Sequence, residues 1–437
     1  MSKKLTALSV TLITVGSVDS IRNLPAAALI GSNLFFYFSL ALVFFLLPCA
    51  IIACWFSTQS HDGIYGWVTK SLGKKAGFTA IWFQWMQNIL IYPTFLSFIA
   101  GAFLFCIDPK LVEQKGLLFI LINLCIWSLT WVNIKGINLS HRFSVFCSLV
   151  GLVIPFILLL SIGLFWIITQ PHAFPLAPPA QQETWTSLTA IILSFCGIEI
   201  AAVHIQECKP GVFSKAIAFS VIIIFMTMLL GALTLAMLLS PQQLNFISGI
   251  PKLFQVFFAQ IKCEKMSIVI NGLIVIGCIG CANNWLISPL KGLLFASKEF
   301  NDLDINLSKK PMTKLLLIQA CGISLLSTLF LLLPSINDSY WIMITLATQM
   351  YLLMYFLMFV GAIRASWQTK NRMRWAIILI SILGLCGISI ALIVSFNPPS
   401  SLENNSPTIY ALFLVVSLLI MTLASVLGKR MLYYSPY

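Results

Sequence analysis

The chain has 437 residues, 59% of them hydrophobic and only 9% charged, with a formal net charge of +13. A mean hydropathy of +0.97 excludes an ordinary soluble domain of this size and indicates a polytopic membrane protein. No polar segment is long enough to fold as a separate soluble domain, so one membrane domain is expected over 1–437.

A helical span needs about 20 mostly apolar residues. In chain order this predicts about twelve spans: 6–30, 34–57, 78–106, 116–134, 143–169, 185–205, 213–239, 266–297, 313–333, 339–363, 374–396 and 408–428. Lys3 and Lys4 lead into the first without a small-residue cleavage site, so it reads as a retained span rather than a signal peptide. Pro93 and Pro155 are expected to kink their spans. The stretch 241–264, containing Leu253-Phe254-Gln255-Val256-Phe257-Phe258, reads as a short helix on the outer surface.

Two spans are interrupted. The first holds Thr14-Val15-Gly16-Ser17-Val18-Asp19-Ser20-Ile21-Arg22, and the sixth holds Ser194-Phe195-Cys196-Gly197-Ile198-Glu199. A charged side chain at mid-membrane costs roughly 2.5–3.5 kcal/mol on insertion scales, so Asp19, Arg22 and Glu199 are expected to face a cavity or a partner. Interrupted helices far apart in sequence point to a transporter with its site at the breaks. Their spacing suggests two five-span halves, about 6–170 and about 185–363, followed by two extra helices at about 374–428.

Apart from Arg22, five cationic residues (Lys110, Lys115, Lys252, Lys262 and Lys265) fall in one set of alternate loops, and every other Lys and Arg falls in the opposite set. This asymmetry places both termini in the cytoplasm and accounts for the net charge without nucleic acid. Most cysteines, such as Cys49, Cys125, Cys147 and Cys386, sit inside apolar spans as small packing residues. Cys278 and Cys281 have half the spacing of a metal site, but nothing nearby completes it. No Gly-x-x-x-x-Gly-Lys-Ser/Thr string exists, so neither ATP drive nor another cofactor is expected.

Several strings resemble the amino acid–polyamine–organocation superfamily, in particular the branch around glutamate/GABA antiporters. They are Val18-Asp19-Ser20-Ile21-Arg22-Asn23-Leu24-Pro25, Gly63-Ile64-Tyr65-Gly66-Trp67-Val68 and Gly77-Phe78-Thr79-Ala80-Ile81-Trp82-Phe83-Gln84-Trp85. Gly197-Ile198-Glu199 with Ala202-Val203-His204, and Tyr340-Trp341-Ile342 with Thr348-Gln349-Met350-Tyr351-Leu352, complete the likeness over about 6–430. The resemblance implies an all-α, LeuT-type fold of inverted five-helix repeats plus two C-terminal helices, working by alternating access. It also implies that the broken first and sixth helices hold the substrate head group. Where many relatives have Gly-Ser-Gly at the first break, this chain has Val18-Asp19-Ser20, and its loop 207–213 is shorter.

The expected substrate-binding residues are Gly16, Ser17, Val18, Asp19 and Ser20 at the first break, Phe195, Cys196, Gly197 and Ile198 at the second, and Asn88 and Asn284 on other spans. Gating or proton coupling is expected of Arg22, Glu199 and Tyr351. Asp19 and Arg22, three apart, either pair with each other if the helix resumes there or separate into a substrate-binding acid and an organising cation. Glu199 is a gate or proton-linked acid, or a cap for freed N–H groups. Phe195 is a lid or a packing ring. Trp285, Tyr340, Trp341, Tyr351 and Tyr355 either line the cavity or mark interfaces. Gln84, Gln87, Asn88, Asn283, Asn284 and Gln349 need partners in hydrocarbon and therefore face other helices or water. His204 is either a pH reporter or a solvated helix end.

Together these readings predict a secondary transporter in the inner (plasma) membrane, either antiporter or proton-coupled symporter. Its substrate is expected to be an amino acid, with a polyamine or other organic amine as the alternative; its oligomeric state stays open. With only 4 His and no pore-like repeat, an enzyme or a channel is less favoured.

Overall fold

The computed structural model describes residues 6–60, 63–135, 147, 151, 153–169, 183–200, 208, 211–300, 309–368, 373–398 and 407–433. Their regular elements are all helices. In hydrocarbon a helix satisfies every backbone N–H and C=O within its own segment.

The first span is split into α1 (Ala7–Val18), a 3-10 turn (Ile21–Asn23) and α2 (Leu24–Ala28). The second runs through α3 (Leu34–Ala41), π-helical Leu42–Leu46 and α4 (Leu47–Ser57). Then come α5 (Gly63–Leu72), α6 (Lys74–Ile107), α7 (Lys115–Lys135), α8 (Ile154–Thr169) and α9 (Glu183–Phe195). They are followed by α10 (Val212–Leu238), α11 (Gly249–Gln260), α12 (Lys265–Phe300), α13 (Lys309–Ser327) and α14 (Leu329–Leu332). The last are α15 (Ile336–Gln368), α16 (Arg374–Ser395) and α17 (Pro407–Tyr433).

Among the described residues, nine helical stretches are long and apolar enough to cross a bilayer. Three apolar helices are shorter: Ala7–Gly16, Ile154–Thr169 and Ser187–Ile200. The first ends just before the first break, and the last runs through the second. The 34 residues of α6 extend about 50 Å at 1.5 Å per residue, well beyond a bilayer core. The helix packs along α12 and α15, and 89% of its most apolar stretch is buried. Only 17% of the corresponding stretch of α17 is buried, which puts α17 at the lipid edge with Leu412, Leu419 and Ile420 exposed.

Local chemistry shapes several elements. Gly73 (φ +97°) turns α5 directly into α6, a conformation open to glycine. Pro48 lacks the N–H that would bond Phe44 C=O, and the backbone before it widens into a π-turn. Gly387 of α16 packs against that carbonyl so closely that a Cβ there would lie 2.2 Å from it. Pro93 does lie inside α6, and Pro155 stands at the start of α8, directly after π-helical positions 151 and 153. The segment read as an outer helix forms α11. Its Ile250, Leu253, Phe254 and Phe257 recur on one face and are buried against the bundle. The string Gly63–Val68, which no predicted span covers, forms α5; Trp67 is buried there, donates to Ser60 O at 3.1 Å and stacks on Phe56.

Candidate functional site

The first break begins where α1 stops at Val18. Asp19 (φ −67°, ψ 120°) and Ser20 (φ −139°, ψ 107°) are extended, with the Asp19 N–H closing α1 onto Val15 O at 2.7 Å. The chain then re-coils, with Pro25 in the first turn of α2, where its fixed φ is favourable. Such a break leaves the last carbonyls of one helix and the first N–H groups of the next without helical partners. The two dipole ends therefore meet at one point.

The second break follows Phe195. Gly197 adopts φ +108°, a region that only glycine enters without strain, and a 3-10 turn resumes at Ile198. The Gly197 N–H donates to the Tyr355 hydroxyl at 2.9 Å. A Cβ on Gly197 would lie 3.5 Å from Val18 Cγ2 and 3.7 Å from the Trp285 ring, so the two breaks touch.

A cavity of about 50 Å³ lies beside this contact. The first break contributes Gly16, Val18, Asp19, Ser20, Ile21, Arg22 and Asn23 to its wall. From α6 come Gln87, Asn88, Ile91, Tyr92 and Phe95, and from α9 and the second break come Leu193 and Cys196. Cys278, Cys281 and Trp285 of α12 and Tyr351 of α15 close it.

Asp19 and Arg22 do not pair. The two extended residues between the helical pieces send them to different partners. Asp19 Oδ2 accepts from Thr227 Oγ1 of α10 at 2.8 Å. Arg22 Nη1 donates to Thr94 Oγ1 at 2.9 Å, and the guanidinium carbon stands 4.6 Å from the centroid of the Phe95 ring. Asp19 Oδ1 and Arg22 Nε are buried with no hydrogen-bond partner.

Glu199 stands just outside the cavity wall, buried among neutral donors. Its Oε1 accepts from the Tyr351 hydroxyl at 2.8 Å and from Gln84 Nε2 at 3.3 Å, and its Oε2 accepts from the Tyr355 hydroxyl. Tyr351 both lines the cavity and holds Glu199, so it joins the two.

Of the other expected residues, Asn88 lies in the wall, donating to Trp285 O at 3.1 Å and accepting from Gln319 at 3.2 Å. Gly197 and Ile198 belong to the break but not to the wall, and the Phe195 ring packs edge-on against Phe38, 5.8 Å between centroids. Tyr340 donates to Arg22 O at 3.4 Å. Asn283 accepts from Asn133 at 2.7 Å, and Gln349 donates to Ser395 at 2.7 Å. The side chains of Ser17 and Asn284 lie outside the described residues, as do His204, Gln206 and Glu207. Sequence reasoning passed over Asn23, Tyr92, Thr94 and Thr227. Thr227 carries no local signal, because it also bonds its own helix at Ile223 O, the usual habit of a threonine in a span.

A lipid-embedded helical bundle whose two broken helices abut beside a charged cavity has the architecture of a solute carrier, and its fold is of the LeuT type. Residues 5–419 match the model of the amino acid permease family, and the chain belongs to that family. It is 32% identical to an uncharacterised transporter of Legionella pneumophila over 96% of this chain and 95% of the relative. It is 25% identical to a glutamate/gamma-aminobutyrate antiporter of Lactococcus lactis, over 96% and 88%. Among solved structures, MhsT in complex with L-phenylalanine shares the fold at 13% identity, with a TM-score of 0.60, covering 90% of this chain and all of that one. The chain is thus an amino acid transporter that works by alternating access, and not an enzyme.

Proposed function

We propose that this protein is an antiporter or proton-coupled symporter of amino acids in the inner (plasma) membrane, with both termini cytoplasmic. One observation carries the reading: the breaks meet at Val18 and Gly197 beside a cavity walled by Asp19 and Arg22. The substrate head group sits at the first break, with its ammonium toward Asp19 and the carbonyl end of α1. Glu199 acts as the gate or proton-coupled group, communicating with the cavity through Tyr351. Exchange is supported by the likeness to the Lactococcus lactis glutamate/gamma-aminobutyrate antiporter. The loop charges support the orientation, and the break spacing supports repeats at about 6–170 and 185–363.

The test is counterflow into proteoliposomes preloaded with unlabelled solute, over a panel of labelled amino acids. Saturable, trans-stimulated uptake of at least one is expected. Uptake that neither saturates nor responds to preloaded solute would exclude a carrier.

A further inference from the structure

Along α16, Trp375, Leu379, Ile382, Cys386, Ser389 and Ile393 are all exposed and recur alternately four and three residues apart. That spacing is one helix face, and the opposite face, with Ile377, Ser381, Ile388 and Ala391, is buried, so the exposed stripe fronts lipid. From Trp375 to Ile393 the helix rises about 27 Å at 1.5 Å per residue, close to the roughly 30 Å of a hydrocarbon core, which puts Trp375 at the level of the lipid headgroups.

At that level Arg374 lies between two indoles. Its guanidinium carbon stands 4.1 Å from the centroid of the Trp367 ring, on α15, and 4.9 Å from that of Trp375. The two rings meet edge-on, 5.8 Å between centroids, and are 54% and 65% exposed. Arg364 is exposed one turn before Trp367, so a second cation stands on the same face of α15. Ring contacts occupy the faces of a guanidinium and leave its N–H edge unbonded. Arg374 Nε is buried with no hydrogen-bond partner. A merely solvated arginine would keep its head in water; this one is pinned and part-buried, with a donor unused.

We propose that Arg374, clamped by Trp367 and Trp375 and assisted by Arg364, binds the phosphate of an anionic phospholipid where α15 and α16 reach the membrane surface. A guanidinium edge matches two phosphate oxygens, and indoles settle at headgroup level. A soluble phosphate would match the guanidinium alone. The apolar face beneath it, starting at Leu379 and Ile382, gives acyl chains a wall and commits the site to a lipid.

The test is native mass spectrometry of the purified full-length protein in detergent micelles, titrated with dioleoyl-phosphatidylglycerol or dioleoyl-phosphatidylcholine. The first phosphatidylglycerol is expected to bind about five- to tenfold more tightly than the first phosphatidylcholine, since each arginine near a membrane surface adds about fivefold for an anionic lipid. Arg374→Gln should weaken phosphatidylglycerol binding about fivefold, and Arg374→Lys, which keeps the charge but not the planar stack, should retain part of it. Lys110→Gln, a cation in the opposite set of loops, should change nothing. Equal binding of the two lipids by the wild type overturns the inference, as does undiminished binding in Arg374→Gln or an equal loss in Lys110→Gln. Displacement of phosphatidylglycerol by excess inorganic phosphate would make this a free-anion site and overturn the lipid assignment. So would a lipid-free dimer broken by Trp375→Ala, which would give the face to a second copy. Should Arg374→Gln fail to fold, the wild-type comparison and Arg374→Lys still decide.

Discussion

The Tyr355 hydroxyl donates to Glu199 Oε2 while accepting the Gly197 N–H at 2.9 Å, so one phenol holds both the carboxylate and the backbone of the second break. Phe45 packs edge-on against that ring, 5.1 Å between centroids, and fixes its plane. The break is therefore a braced structure, not a slack one.

Tyr355→Phe removes a donor from a buried carboxylate and an acceptor from a buried amide. It should lower stability by about 1–3 kcal/mol, seen as a drop in the detergent-solubilised melting temperature. Tyr351→Phe should cost less, because Gln84 still donates to the same oxygen. Equal losses would argue against the bracing role.

Glu199→Gln keeps the shape and removes the titratable proton. If Glu199 couples transport to protons, the variant is fixed in a state like that of the protonated carboxyl. Its uptake should then be flat across pH where the wild type varies. Unchanged pH dependence in vesicles rules Glu199 out as the coupling group.

Gly197→Ala forces a Cβ onto φ +108°. The space is sufficient, since the nearest atom would lie 3.4 Å away, so the cost is conformational. A destabilisation of about 1–2 kcal/mol is expected, together with slowed uptake. Wild-type melting would mean that the break relaxes easily.

Gly277 of α12 meets Gly151 backbone to backbone, and a Cβ on Gly277 would fall 2.3 Å from Gly151 C. Here the obstacle is backbone, which cannot swing aside. Gly277→Ala should cost about 1–3 kcal/mol by overpacking, with a further loss for Gly277→Val, measured by thermal unfolding.

Thr227→Val deprives Asp19 Oδ2 of its hydroxyl donor while keeping the size of the side chain. Solute affinity should change at unaltered expression, and Thr227→Ser should behave nearly as the wild type. Matching titration curves for all three proteins would dismiss Thr227 as a support for the site.

Most of the spans, the two interruptions and the charged residues at them were legible in the sequence because their causes are local. Hydropathy accumulates along the chain, and an acid in an apolar run is costly wherever the run packs. The bundle's partnerships were not legible. A lipid-facing side chain and a buried one are equally apolar, so no amphipathic stripe shows which face of α6 or α15 turns inward. Phe195 illustrates the limit: its position beside a break suits a lid, yet its ring is spent on Phe38.

The amino-acid sequence by itself determined that the chain crosses a membrane many times, where two of its helices break, and that acids and an arginine stand there. Tertiary structure alone decided that Asp19 turns to Thr227 and Arg22 to Thr94, and that Glu199 is held by two tyrosines on α15. The reason is geometric. Two extended residues rotate Asp19 and Arg22 away from the helical spacing that would pair them, and their new neighbours come from helices more than seventy residues away in the chain, which no local pattern encodes.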